Sequence, residues 1–404
     1  MSEERPNGPT RGLVLAGGGA RGAYEAGVLA YIFQELPQHL IGAGSLKVIC
    51  GTSVGAIHAS YLAATAHIPR HDIGRLVDLW RSLRIEKMLR LRPRDLARLP
   101  NEIKALFEPS DRARGVLINS WLLRDVVKRN APWERIKTNL REGYLDALTV
   151  SCTHIVTGKT TVFVDRREPG LPPWSRDPRV EVRRVRISVD HALASASIPV
   201  LFPPVKIDGA YYSDGGLRQN TPLSPALRLG CDKVLVVGLR HEDEAPHLPR
   251  DPDVEEPYPG AFFLLGKVVD ALMLDRLEYD LLRLDGFNMI LREGSAAFGP
   301  EFLETLSATA MRMRGQRYRQ IQSLVIRPSR DIGEMAYEFV DVLRGRLGRV
   351  SGWMLGKLAS GEVLGDSDLL SYLLFDGRLG AALIELGRAD ADAAREQLIE
   401  FFKD

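Results

Sequence analysis

The hydrophobic pattern opens with Gly12-Leu-Val-Leu-Ala16, a short apolar run of strand formers cut off by Gly17-Gly18-Gly19. It predicts a buried strand ending in a tight turn. Ala20 to Leu36 then carries apolar residues at helical spacing until Pro37 stops it, which predicts a helix. Lys47-Val-Ile-Cys50 reads as a second short strand, again running into glycine and then into a helix over Ala56 to Ala66. Strand, glycine turn and helix, twice over, is the pattern of a parallel sheet covered on both faces.

Further strands are expected at Leu148 to Ser151, Thr161 to Val164 and Lys233 to Val237, the last a continuous apolar run of the kind buried parallel strands show. Residues 241–260, rich in His, Pro, Asp and Glu, predict an exposed loop leading to a long helix over Ala261 to Leu284 and a strand over Asn288 to Leu291. From about residue 300 onward the pattern is mainly helical, with no internal repeat. Arg81 to Arg114 stands apart, with ten Lys/Arg against five Asp/Glu interleaved with leucines. That stretch reads as basic and amphipathic, either an interfacial lid suited to anionic lipid or a solvated helical face packed on the body. The apolar segment Ser351 to Leu386 reads as the core of a helical appendage, with an oligomer or membrane contact as the alternative.

At 404 residues the chain has room for two to three domains at roughly 150 residues each, or one large α/β domain with an appendage. With 45% hydrophobic and 26% charged residues, whole-chain disorder, collagen and a transmembrane bundle are excluded. A formal net charge of +2 supplies no global field for a nucleic-acid backbone, so no nucleic-acid partner is expected. Cys50, Cys152 and Cys231 lie far apart and show no ligand spacing, so neither a disulfide framework nor a zinc site is expected. The polar N-terminal residues do not read as a signal peptide, and no uncharged apolar run reaches the roughly 18 residues needed to cross a bilayer. The expected address is cytoplasmic, with contact at a membrane surface only peripheral.

Gly51-Thr52-Ser53-Val54-Gly55 is a GxSxG sequence that follows a predicted strand and opens a predicted helix. A serine at the apex of such an elbow has strained backbone geometry, and the flanking glycines let strand and helix pack close. Amides at the start of the helix and its dipole favour a developing oxyanion. A nucleophilic serine needs a base, and none of the eight histidines sits in a setting that singles it out. His58 lies five positions along the helix and points away from Ser53, as a solvated or core histidine; His191, near Ser195-Ala-Ser-Ile-Pro199, is the least dismissible. The candidate base is Asp214 in Asp214-Gly215-Gly216, although an Asp-Gly-Gly turn on its own is commonly structural.

Gly17-Gly18-Gly19-Ala20-Arg21-Gly22 satisfies GxGxxG, but a dinucleotide site wants an acidic residue at the end of the second strand, where this chain has Ile49-Cys50-Gly51. The other reading makes the glycine amides an anion-binding nest, an oxyanion hole facing Ser53, with Arg21 adding charge, holding a phosphate head group or anchoring the loop.

Taken together, Gly17–Gly22, Gly51–Gly55, Ala194-Ser-Ala-Ser-Ile-Pro199 and Asp214-Gly215-Gly216, in this order and spacing, resemble the patatin-like phospholipases over about residues 11–240. The resemblance implies a three-layer α/β fold with a mostly parallel central sheet and a helical C-terminal extension. It divides the chain into a tail (1–10), an acyl hydrolase domain (11–298, with 81–114 as insertion or lid) and the extension (299–404). It further implies a Ser–Asp dyad, with Ser53 as nucleophile, Asp214 as general base, and Gly17, Gly18, Gly19, Arg21 and Gly22 around the oxyanion. No cofactor or metal is implied. The implied substrate is a phospholipid or lysophospholipid, met at a membrane surface by a chain that could self-associate. Where many members have alanine after the Asp-Gly pair, this chain has Gly216. Two rival readings stay open: an acyltransferase using the same acyl-enzyme, and a scaffold with the fold but without turnover.

Overall fold

The computed structural model describes residues 8–85, 120–174, 177–199, 201–241, 277–314, 317–344 and 371–403. Most of the basic stretch Arg81 to Arg114, residues 242–260 of the expected loop 241–260, the first part of the helix expected at Ala261 to Leu284, and residues 351–370 lie outside them.

The expected alternation is present. Strand β1 (Arg11–Leu15) leads through the glycine loop into helix α1 (Gly22–Glu35), and β2 (Val48–Thr52) leads through Ser53 into α2 (Val54–Thr65). Helices α3 (Ile73–Ser82), α4 (Ser120–Asn130) and α5 (Glu134–Glu142) precede β3 (Ala147–His154), β4 (Thr160–Arg166) and β5 (Val180–Arg184). Then come α6 (Val189–Ser195), β6 (Val205–Ile207), β7 (Ala210–Asp214), α7 (Leu223–Arg228) and β8 (Lys233–Val237). The remaining elements are α8 (Leu277–Phe298), α9 (Glu301–Arg314), β9 (Gln322–Ile326), α10 (Ile332–Arg344), α11 (Gly377–Ala393) and α12 (Arg395–Phe402).

The strands form one mixed, mostly parallel sheet in the order β5-β4-β3-β2-β1-β8-β9, with β7 also on β3 and β6 on β7. The period of two along each strand sorts its residues to opposite faces. Leu13, Leu15, Ile49, Leu235 and Val237 enter the larger core with α1, α2, α3 and α11, whereas Val14, Val48, Cys50, Val234 and Val236 face α7 and α8. Because both faces are covered, the central strands are apolar without alternation.

Two expectations about the second half are corrected. Asn288 to Leu291 is helical, inside α8. Leu277, Leu281, Leu284 and Leu291 recur at helical spacing and are buried, the first three in the core against the sheet, so the longer period outweighs the local apolar run. Asn288 instead accepts from the Ile321 amide (3.0 Å) and donates to the Ile321 carbonyl (2.8 Å), marking where β9 begins. The second correction is β9 itself, a strand in a region read as mainly helical. It pairs in parallel with β8 from Lys233↔Gln322 to Val237↔Ile326.

The C-terminal helices share the core of the first half. A Cβ on Gly27 of α1 would run into the Ile384 carbonyl of α11, and one on Gly387 into the Tyr24 carbonyl of α1. Tyr31 of α1 donates to Asp392 (2.5 Å) and accepts from Arg395 (2.7 Å) at the other end of the contact. Gly27→Val is therefore expected to destabilise by roughly 3 kcal/mol or more through overpacking. Gly286→Ala, in open space on α8, should stabilise by roughly 0.5–1 kcal/mol. Chemical denaturation of the two variants checks both.

Candidate active site

The site forms where two strands meet head-on in one lane of the sheet. β2 runs parallel to β3 and ends with Thr52 opposite Ser151. β7 comes from the other direction and ends with Asp214 opposite Cys152, the next residue of β3. Ser53 and Asp214 are thus the residues at which the two chains collide and turn away. The Ser53 hydroxyl donates to Asp214 Oδ2 at 2.7 Å.

Ser53 sits at φ 54° and ψ −125°, a conformation costly for a residue with a Cβ, of order 1–3 kcal/mol. The two motif glycines permit it: a Cβ on Gly51 would strike the Gly55 carbonyl, and one on Gly55 the carbonyls of Leu15 and Ala16. Thr52 secures the elbow by donating to the Gln219 carbonyl (3.0 Å), and Val54 begins the helix whose N-terminus faces the serine.

The Ala194-Ser-Ala-Ser-Ile-Pro199 segment supplies support that sequence reading left without a role. Ser195 Oγ accepts from the Ser53 amide (2.8 Å) and donates to the Ser151 carbonyl (2.6 Å), holding the strained peptide on β3. The Ser197 carbonyl accepts from the Asp214 amide (2.9 Å) and the Ser213 hydroxyl (2.8 Å). Thr153 donates to the Asp214 carbonyl (2.8 Å). Their only signal in sequence is small hydroxyl residues spaced two apart.

The glycine loop lies beside the elbow, and a Cβ on Gly17 would come within 2.9 Å of Ser53 Cβ. Asn220, six residues past Asp214, brackets Gly17 by accepting from its amide through the backbone carbonyl and donating to its carbonyl from the side chain, both at 3.1 Å. The Arg21 amide donates to the Gly18 carbonyl (3.0 Å), and the Gly22 amide is turned onto the carbonyls of Gly19 and Ala20. The amides of Gly17, Arg21 and Gly22 are therefore committed inside the loop. Among the described residues, those of Gly18 and Gly19 have no such partner. The buried Arg21 guanidinium donates from Nε to Ser371 (2.7 Å) and lies 4.2 Å from the centre of the Tyr372 ring.

The histidines take other positions. His58 is a core residue: its Nε2 accepts from Trp80 Nε1 (3.0 Å), so Nδ1 carries the proton and donates to Glu25 (2.8 Å). His191 packs on Phe163 and closes the N-terminus of α6 with Ser188. Among the described residues no group of three or more His, Cys, Asp or Glu side chains converges as a metal would require, and no helix is long and apolar enough to cross a membrane.

Asp214 is fully buried, and desolvation pushes its carboxyl up to about 7 against the opposing hydrogen bonds from Ser53 and from the Gly216 amide to Oδ1 (2.7 Å). A carboxylate with this affinity can take a hydroxyl proton near neutral pH. Between 3.8, its ordinary value, and about 7 the folded chain holds a proton that the unfolded chain releases. The native state therefore loses stability as pH rises through that window. In Asp214→Asn the amide oxygen still accepts from Gly216, the contact with Ser53 reverses so that the amide nitrogen donates to Oγ, and there is no charge to desolvate. Its stability advantage over wild type should grow from pH 4 to pH 8, to at most about 4 kcal/mol. Parallel melting-temperature profiles for the two proteins would contradict this.

Comparison with known proteins agrees with the geometry. The family model for patatin-like phospholipases matches residues 13–227, just over half of the chain and both sides of the Ser53–Asp214 contact. A cGAMP-activated phospholipase of Pseudomonas aeruginosa (strain BWHPSA011 / Pa011) is 30% identical over 225 residues, covering 52% of this chain and 53% of that protein. One of Escherichia coli (strain TW11681) is 29% identical over 219 residues, with the same coverage. The chain thus matches about half the length of these curated relatives. The solved structure of human GIVD cytosolic phospholipase A2 superposes with a TM-score of 0.42 at 11% identity, covering 99% of this chain and 60% of that one. With a family match spanning the strand–elbow–helix, the glycine loop and the Asp-Gly-Gly turn, the chain belongs to the patatin-like phospholipase family.

Proposed function

We propose that this chain hydrolyses fatty acyl esters of phospholipids or lysophospholipids through a Ser53–Asp214 dyad and an acyl-enzyme. The observation that carries the reading is the 2.7 Å hydrogen bond from a strained, elbow-borne serine to a buried carboxylate beside a glycine loop. Asp214 takes the Ser53 proton as Oγ attacks the ester carbonyl, and the negative charge develops on the carbonyl oxygen. In this reading the amides of Gly18 and Gly19, with the N-terminus of α2, receive it, each such donor being worth about 2.7–4 kcal/mol in comparable sites. Collapse expels the lyso-alcohol with the proton from Asp214. Water, deprotonated by the same carboxylate, then releases the fatty acid. Burial of the carboxyl matters for the rate, because a carboxylate at its ordinary affinity is a poor acceptor for a hydroxyl proton.

Fatty-acid release from dioleoyl phosphatidylglycerol vesicles by the purified chain tests the reading. Ser53→Ala and Asp214→Ala should each lower turnover by at least about a thousandfold while remaining folded. For the wild type, kcat/KM should fall about tenfold per pH unit below about 7, because only ionised Asp214 accepts the proton. Turnover that survives in both variants overturns the dyad. The names of the relatives make cGAMP the first small molecule to include as an added arm.

A further inference from the structure

The segment following the undescribed residues 345–370 returns to the site. Residues 371–377 lie far beyond the family match, yet they touch the glycine loop directly and reach the elbow helix through Trp80. Gly19, at φ +55°, packs its Cα on the Tyr372 carbonyl, which a Cβ there would approach to 2.5 Å. Arg21, two residues on, is buried and held by Ser371 and by the face of the Tyr372 ring. Phe375 stacks on Trp80 at 6.2 Å and 12°, and Trp80 donates to His58 of the elbow helix, which in turn meets Glu25 of α1. The far end of the segment is tied down, with the Gly377 amide on the Leu83 carbonyl (2.8 Å) and Asp376 capping α11 through the Arg378 amide (3.0 Å).

We propose that Tyr372, seconded by Ser371, is a positioning residue of the hydrolytic centre that acts through Arg21 and Gly19 to hold the glycine loop. A buried guanidinium recovers its lost hydration through a hydrogen bond in its plane and an aromatic face against it. Both of these come from the C-terminal segment. Arg21 is therefore a structural bolt of the loop and not the ligand of a lipid phosphate. The Tyr372 carbonyl sets where Gly19 sits, and with it where the free amides of Gly18 and Gly19 point. A displaced oxyanion donor costs transition-state stabilisation while leaving substrate binding largely intact. The inference rests on the hydrolase reading above, and its test separates the two.

The experiment compares wild type with Tyr372→Leu, Tyr372→Phe, Arg21→Gln and the Arg21→Gln/Tyr372→Leu double variant. Substrates are a neutral soluble short-chain ester, phosphatidylcholine vesicles and phosphatidylglycerol vesicles. Melting temperatures identify the folded variants, and the rate at which a fluorophosphonate labels Ser53 gives a readout that needs no particular substrate. Tyr372→Leu and Arg21→Gln should each lower kcat and labelling rate by about tenfold or more with KM changed less than about threefold, alike on all three substrates. Tyr372→Phe, which keeps the ring over Arg21 that Tyr372→Leu removes, should stay within about threefold of wild type, and the double variant should be no worse than the poorer single one. Labelling of Tyr372→Leu at the wild-type rate overturns the inference and leaves the hydrolase reading standing. So does a loss in Arg21→Gln confined to the phospholipid substrates, which would make Arg21 a head-group ligand. A wild type that the fluorophosphonate does not label overturns both.

Discussion

Everything else at the site follows from one collision inside the sheet. β2 and β7 approach along the same lane beside β3, and their last residues, Thr52 and Asp214, lie opposite consecutive residues of β3. Two chains cannot continue through one another, so each turns out of the sheet at that point. Ser53 takes an unfavourable backbone conformation as it leaves, and the carboxylate of Asp214 is left in the interior with the serine hydroxyl and one backbone amide as its partners. Strain and desolvation, both unfavourable in a structural part of the chain, are what the proposed mechanism draws on to make this pair a nucleophile and its base.

The surroundings are built to tolerate that arrangement. Ser195 and Thr153 satisfy backbone groups around both residues with their hydroxyls, the Ser197 carbonyl accepts from the Asp214 amide, and Gln219 and Asn220 return beneath the elbow and the glycine loop. Each of these groups is buried or nearly so, where an unpaired donor or acceptor would cost about 1–3 kcal/mol. The serine peptide is over-determined: glycines remove the steric objection at Gly51 and Gly55, and hydrogen bonds remove the polar one.

The C-terminal helices belong to the same body. α11 lies against α1 at paired glycines, α12 contributes Leu398, Phe401 and Phe402 to the larger core, and Ser371 and Tyr372 rest on the glycine loop. A chain whose family match ends near residue 227 thus draws the wall of its glycine loop from more than 140 residues further on. The buried Arg21 depends on this segment, because a guanidinium taken out of water needs the Ser371 hydroxyl and the Tyr372 ring to offset its lost hydration.

Periodicity, glycine placement and charge were enough to read the layered α/β class, the first strands and helices, and the serine elbow, because those features depend on residues within a few positions of one another. The order of the motifs pointed to Ser53 and Asp214. Their 2.7 Å contact depends on strand register across β3, which no local pattern encodes. For the same reason β9 was missed in a mainly helical region, and Ser195, Asn220 and Tyr372 carried no signal of their own, whereas Asn288 to Leu291 was misread because a short apolar run was weighed above the longer helical period around it. Local sequence determined which backbone conformations were available. Tertiary packing decided which distant side chains met, because burial and register act on residues that the chain holds far apart.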